Sequence, residues 1–386
     1  MMLDEAEHIR LLRDATRKFI AAEMPREKAR AWDRDNVFPR EAYGKLAAMG
    51  VMGLTVPAEY GGSGVDITAC MAVIEELAKR SAAVACPYIM TACYAGMNLV
   101  ESGSPLQKQA LLPRVAKGDL LFAYGLSEPN VGGDLASVET TLRREGNRLI
   151  LKGAKRWCTG ADIADYIFCL ARSGPKEEKY RNLTIVLVPP ASKGITITPL
   201  GHLGIRGVET KDVFFDDVEL GDDAILGGPD MWNKGWRQLA TRALEVEKLE
   251  LSAVALGLAE AAVADAWTYA QERRQFGALI GQHQAIRHML VDARTKVQAM
   301  RHMLYHAAAL ADANRPCSVE SSMAKLFCCE GAAEVTLACQ RVTGAYGLSD
   351  AMDMERYVRD AISLPIVGGS SHMQRNNIAN RLKLAE

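Results

Sequence analysis

Leu149-Ile150-Leu151, Tyr166-Ile167-Phe168, Leu183-Thr184-Ile185-Val186-Leu187, Ile195-Thr196-Ile197 and Val213-Phe214-Phe215 recur along one stretch, and their spacing decides the fold. Each run is short, rich in β-branched and aromatic residues, and bounded by turns such as Glu145-Gly146-Asn147. Closely spaced strands without helices between them imply an antiparallel sheet or barrel over residues 121–228, and they argue against a parallel dinucleotide-binding fold.

Outside this stretch the period becomes helical. Upstream, residues 1–120 form one helical domain. Leu12, Ala15, Phe19 and Ile20 share a face, and the helix of Tyr43, Leu46 and Ala47 stops at Gly50. Val84 to Val100 is apolar nearly all round, as a buried central helix is. Ser104-Pro105-Leu106-Gln107 reads as a capped start, and the helix it opens ends by Gly118. Downstream of Gly227-Gly228-Pro229, residues 229–386 contain long helices at Leu239 to Gln271, at Gln284 to Ala313, and from a cap at Ser318 to Val342. Long antiparallel helices make a bundle. The expected fold is therefore α+β multidomain: an N-terminal helical domain, a central antiparallel β domain and a C-terminal four-helix bundle.

The 386 residues are enough for two or three domains and a buried cofactor. Forty-six Lys and Arg balance 47 Asp and Glu, so no global field draws the chain to nucleic acid or an anionic membrane. No apolar run of about 18 residues is evident. The segment Met1 to Ile20 carries Asp4, Glu5, Glu7 and Asp14, unlike a signal or transit peptide, so the cytoplasm is the expected location. Nine cysteines without a CxxC pair read as reduced, mostly buried thiols. His302 and His306 stand four apart on a helix, but no third ligand is visible, so no metal is expected.

General signatures are missing: no GxGxxG after a strand, no P-loop, no HExxH, no GxSxG. Six ordered segments remain. They are Val56-Pro57-Ala58-Glu59-Tyr60-Gly61-Gly62, Leu126-Ser127-Glu128-Pro129-Asn130-Val131-Gly132-Gly133-Asp134, Trp157-Cys158-Thr159-Gly160, Arg273-Arg274-Gln275-Phe276-Gly277 with Gln284, Arg359-Asp360-Ala361, and the turn at Gly368. In this order they resemble the acyl-CoA dehydrogenase family of flavoproteins, over nearly the entire chain.

The resemblance implies non-covalent FAD. By motif position Leu126 and Ser127 meet the pyrimidine edge of the isoalloxazine, Trp157 flanks the ring, and Thr159 hydrogen-bonds near N5. An aromatic plane beside a hydroxyl suits a planar ring with a polar rim. Arg273, Phe276, Gln284, Gln340 and Gly344 correspond to positions that hold the diphosphate and adenine of a neighbouring subunit's FAD, which implies a homodimer or homotetramer. Ser370 and His372 fall among the cofactor positions, and Gly133, Glu245, Lys248 and Gly369 among the substrate positions. The implied partners are an acyl-CoA and an electron-transferring flavoprotein.

The family's reaction removes an α-proton from a thioester while hydride leaves the β-carbon. A carboxylate can serve as base when burial raises its pKa toward neutrality. Many relatives carry that glutamate in an E-G-T sequence after R-D-A, where this chain has Gly368-Gly369-Ser370. Isovaleryl-CoA and long-chain acyl-CoA dehydrogenases carry it instead 26 residues before the R-x-x-F-G arginine. Counting 26 back from Arg273 reaches Glu247, here in Glu-Lys rather than Glu-Arg. Helical period alone does not choose among Glu245, Glu247 and Glu250. The resemblance thus makes Glu247 the base and leaves Gly368 a backbone N–H for the thioester oxygen.

Some positions depart from the family pattern. Gly133 replaces a Ser, Thr343 replaces a Gly, Gly347 falls one residue late, and Lys248 lacks the fork of Arg. The tail Val367 to Gln374 also resembles the branch with crotonobetainyl-CoA reductase, so reduction of an enoyl-CoA by the same residues is an alternative. An oxygen-reactive oxidase or monooxygenase on this fold is another, and a non-catalytic binding protein a third.

Overall fold

Strand β1 (Phe122–Gly125) leaves the N-terminal helices and pairs not with its chain neighbour but with β4 (Tyr166–Arg172), in parallel, Phe122 opposite Tyr166. Between them in sequence β2 (Thr141–Glu145) and β3 (Arg148–Thr159) form a hairpin, which leaves β4 beside β1. The other strands are β5 (Leu183–Val188), β6 (Ile195–Pro199) and β7 (Thr210–Leu220); the order across the sheet is β1-β4-β2-β3-β7-β6, with β5 also on β4. Most ladders are antiparallel; β4 is the exception, parallel to β1 and, at Thr141–Arg172, to β2, which strand spacing did not foretell. These features come from a computed structural model that describes residues 5–384; Asp4 and both extreme ends of the chain lie outside the described residues.

Alternation along β4 divides the core. Phe168 and Leu170 join the helical core, whereas Ile167, Cys169 and Ala171 face a second core with Val186, Val213 and Phe215, as a period of two requires. One face of β4 thus packs on the helices and the other on a second core formed among the strands.

The N-terminal helices are α1 (Glu7–Glu23), α2 (Arg26–Asp35), α3 (Arg40–Ala47), α4 (Ile67–Ala78), α5 (Ala82–Tyr88), α6 (Gly96–Ser102) and α7 (Pro105–Lys117). On α1 the buried face is Ile9, Arg13, Thr16, Phe19 and Ile20; Ala15 is exposed, because the ion pairs of Arg13 with Glu75 and Glu76 rotate the helix toward α4. Ser104 and Gln107 form the reciprocal capping box that opens α7. A π-turn at Ile89–Ala95 joins α5 to α6, so Ala82–Ser102 is one helix, long and apolar enough by composition to cross a membrane. That corrects the reading that no such run exists: Cys, Met, Tyr and small residues carry its apolarity. Its side chains are mostly buried inside the protein.

The C-terminal helices are α8 (Gly235–Leu239), α9 (Arg242–Glu272), α10 (Gln284–Asp312), α11 (Ser318–Thr343), α12 (Met354–Ala361) and α13 (Ser371–Arg381), with a small β8–β9 hairpin (Arg274–Gln275, Ala278–Leu279) between α9 and α10. Leu239 belongs to α8, because Thr241 is extended at φ −102°, ψ −172° and breaks the helix. Glu247 therefore lies in the second turn of α9. Three long helices, α9 to α11, pack side by side, and α13 lies against α11. Ser318 is the first residue of α11 rather than its cap; its hydroxyl donates to Glu245 instead.

Candidate active site

Gly368 sits in the turn between α12 and α13 with φ +59°, a backbone region that favours glycine. A Cβ there would stand 2.0 Å from Leu251 Cδ1 and 3.6 Å from Glu247 Oε1. The space a side chain at 368 would need is thus filled by Leu251 of α9, and the carboxyl beside it belongs to Glu247. Burial pushes the Glu247 carboxyl up to about 7, against the pull of Lys248 and Lys325. Lys325, fully buried on α11, donates to the Leu364 carbonyl at 2.9 Å and ties α11 to the chain leading into Gly368. A lone Lys among small apolar residues of a core helix was the overlooked signal.

The three glutamates of this segment have different environments. Glu245 pairs with Lys248 and accepts hydrogen bonds from Ser318 at 2.9 Å and Ser321 at 2.8 Å. Burial opposes ionisation there, but Lys248 and the serines hold the carboxyl below its usual range. Glu245 and Lys248 are therefore paired with each other, and Glu245 is tied to α11 through the two serines. Glu250 is fully buried, and neither of its oxygens has a hydrogen-bond partner among the described residues.

The Leu126–Asp134 loop follows β1. Its anchor is the buried pair Lys155–Glu128 at 2.8 Å; the same ammonium donates to the Leu126 carbonyl at 3.0 Å, and Glu128 also accepts from the N–H of Glu139 and Thr140. Arg156 N–H donates to the Ser127 carbonyl at 3.0 Å, which sets this loop beside β3. Next along β3, where the β3–β7 register shifts, Trp157 takes φ +67° and its indole is 57% exposed. Thr159 Oγ1 meets Thr210 Oγ1 at 3.1 Å. An exposed indole on a strained strand position, with backbone groups and a hydroxyl next to it, fits a planar heteroaromatic ring with a polar rim. Gly133, in the same loop, lies against α13: a Cβ there would be 3.4 Å from Met373 Sδ.

A second set gathers at the end of α9. Arg273 is exposed, with its guanidinium carbon 5.8 Å from the Tyr346 ring centroid, in the turn that starts at Gly344 with φ +60°. Gln340 donates to the Gly347 carbonyl at 3.1 Å and shapes that turn. Phe276, at the tip of the β8–β9 hairpin, is 97% exposed, and Gln284 is exposed at the start of α10. A cationic fork, an amide and an aromatic facing outward suit a diphosphate and a base. Ser370 caps α13 by accepting from Met373 N–H, Gly369 O accepts from Gln374, and His372 is exposed on α13. His302 and His306 lie on an exposed face of α10, and no group of three metal-binding side chains occurs among the described residues.

Family models match all three parts: the acyl-CoA dehydrogenase N-terminal domain over residues 6–119, the middle domain over 123–218 and the C-terminal domain over 233–383. The chain is 32% identical over 352 residues to the short-chain specific acyl-CoA dehydrogenase, mitochondrial, of Homo sapiens, covering 91% of this chain and 84% of that protein. It is 32% identical over 375 residues to the acryloyl-CoA reductase (NADH) of Anaerotignum propionicum, covering 96% and 93%. The solved glutaryl-CoA dehydrogenase in complex with glutaryl-CoA superposes with a TM-score of 0.93 at 30% identity, covering 100% of this chain and 97% of that one. Fold and site thus define an FAD-dependent oxidoreductase of the class that acts on acyl-CoA thioesters. The chain belongs to the acyl-CoA dehydrogenase family.

Proposed function

We propose that the chain interconverts an acyl-CoA and its trans-2-enoyl-CoA, with Glu247 as the base, and passes the electrons to an electron-transferring flavoprotein. The geometry at Gly368 carries this reading: Leu251 fills the space a side chain there would take, and the carboxyl of Glu247 lies beside the same point. Burial holds that carboxyl near neutrality, where it can take a proton from carbon and return it. As the α-proton leaves, charge grows on the thioester oxygen, and the Gly368 N–H would donate a hydrogen bond to it. Lys325 positions the Gly368 turn through Leu364 and limits how far the Glu247 pKa rises.

Leu126, Ser127, Trp157 and Thr159 would hold the flavin ring. Arg273, Phe276, Gln284, Gln340 and Gly344 would hold the diphosphate and adenine of a second copy, which requires a homo-oligomer. Ser370 and His372 would border the cofactor, and Gly133 and Gly369 the thioester. Bound flavin supplies the acceptor for hydride from the β-carbon. Nine free thiols, eight of them buried, suit a reducing, cytoplasmic setting.

Anaerobic titration of the FAD-loaded protein with short, branched, aromatic and long acyl-CoAs tests the reading. Bleaching of the flavin absorbance by at least one of them is expected. No bleaching with any, together with rapid peroxide formation in air, would favour an oxygen-reactive flavoenzyme. A relative that is named a reductase favours a second reading, in which the same residues run toward saturation of an enoyl-CoA. Faster reoxidation of the reduced protein by enoyl-CoA than bleaching by the matching acyl-CoA would establish that direction.

A further inference from the structure

One turn beyond the base, Glu250 is fully buried, and both carboxyl oxygens lack a hydrogen-bond partner among the described residues. Three other buried oxygens share that condition: Tyr94 Oη at the end of the π-turn, Asn98 Oδ1 on α6, and Tyr124 Oη on β1. The cluster is contiguous. Tyr94 stacks on Tyr124 with centroids 4.5 Å apart and planes at 16°, and Tyr124 packs on Phe168 at 5.0 Å. Asn98 spends its Nδ2 on the Tyr94 carbonyl at 3.0 Å, which leaves its oxygen free. After burial itself, the charges of Glu247 and Glu250 push both phenols upward, so the carboxyls and phenols occupy one poorly solvated region.

Buried polar atoms are normally satisfied, and five unpaired oxygens in one part of the core are unusual. All five can accept a hydrogen bond, the two phenols can also donate one, and the cluster has no unpaired nitrogen donor. The buried ammonium groups on the adjoining helices are engaged, Lys248 with Glu245 and Lys325 with Leu364 O. The π-turn matters here because its extra residue per turn redirects side chains, and such turns recur at functional sites.

We propose that Glu250, Tyr94, Asn98 and Tyr124 form the inner end of the acyl-binding pocket, and that this end takes an acyl chain terminating in a hydrogen-bond donor, a hydroxyl or an ammonium. This rests on Glu247 as the base, since that residue fixes where the α-carbon lies. Glu247 and Glu250 are three residues apart, about 4.5 Å along the helix axis, which sets the donor about four bonds beyond the α-carbon. A chain ending in carboxylate would meet the Glu250 carboxyl and the Asn98 oxygen, with only the two phenol O–H groups to offset them. A chain ending in methyl would leave all five oxygens dry and unpaired.

The test measures dissociation constants on the FAD-loaded Glu247→Gln protein, by flavin spectral perturbation, for 5-hydroxypentanoyl-CoA, 5-aminopentanoyl-CoA and hexanoyl-CoA. These chains match in length, and the variant leaves bound ligand intact. At least one donor-bearing chain should bind about ten-fold or more tighter than hexanoyl-CoA. Adding Glu250→Leu should abolish or reverse that ratio, and Tyr94→Phe or Tyr124→Phe should move it part of the way, which also serves if the Leu variant does not fold. An ammonium preference lost in Glu250→Gln identifies an ionised carboxyl; a hydroxyl preference kept in that variant identifies neutral hydrogen bonding. Hexanoyl-CoA binding as tightly as both donor chains, or a ratio unmoved by Glu250 and both tyrosine changes, would overturn the proposal. If Glu247→Gln still bleaches with acyl-CoA, the base assignment has failed on its own, and the binding ratio still judges the pocket.

Discussion

Returning the carboxyl to position 368 tests the geometry from the opposite side. In Gly368→Glu the new residue must adopt φ +59°, which costs a non-glycine residue about 1–2 kcal/mol. Its Cβ must also displace Leu251 Cδ1, now 2.0 Å away, and overpacking of that kind typically costs about 1–3 kcal/mol. The expected loss is therefore about 2–5 kcal/mol, read as a lower denaturation midpoint at unchanged slope. Gly368→Glu/Leu251→Ala should recover most of the overpacking portion, because the obstructing methyl is gone, but not the backbone portion. The catalytic arm uses Glu247→Gln as background. There Gly368→Glu/Leu251→Ala should restore flavin bleaching by acyl-CoA at least tenfold, since the relocated carboxyl shares the same space. A Gly368→Glu protein as stable as the parent and indifferent to Leu251→Ala would refute the packing argument. FAD-loaded proteins with no recovery of bleaching would refute the shared position.

Other predictions follow from the same contacts. Because burial holds Glu247 at about 7 and the base acts deprotonated, kcat/KM for dehydrogenation should rise with pH through about 7 and then level. Lys325→Met should shift that profile to higher pH, since Lys325 pulls the Glu247 pKa down; a profile that stays in place would separate Lys325 from the base. Lys155→Met should leave Glu128 buried without its cation, costing about 3–5 kcal/mol and releasing FAD before the helices unfold, as followed by flavin fluorescence. Arg273→Ala should weaken FAD retention in the assembled protein while the isolated chain keeps its helical content; unchanged retention would remove Arg273 from the cofactor set.

The three-part plan was legible because its periods differ sharply: short apolar runs of period two in the middle, long helical runs at either side. The parallel β1–β4 ladder was not, since a four-residue strand gives no hint of a partner more than forty residues away across an intervening hairpin. The start of α9 was misread because Leu239 continues the apolar period, whereas the extended backbone at Thr241 depends on packing. At the site, family motifs pointed to Glu247, but helical period could not separate it from Glu245 and Glu250; their environments differ through neighbours, Lys248 with two serines for one, empty hydrogen-bonding positions for another. Trp157 illustrates the same limit. A tryptophan at a strand end reads as core, and only the register shift and φ +67° turn it outward.

The base itself is tested most directly by single-turnover reduction of FAD-loaded Glu247→Gln, mixed anaerobically with the acyl-CoA that bleaches the parent protein fastest. Loss of a positioned general base predicts full flavin occupancy and thioester binding, with bleaching slowed about 10²–10⁴-fold or more. Bleaching at a rate near that of the parent protein would contradict the assignment of Glu247.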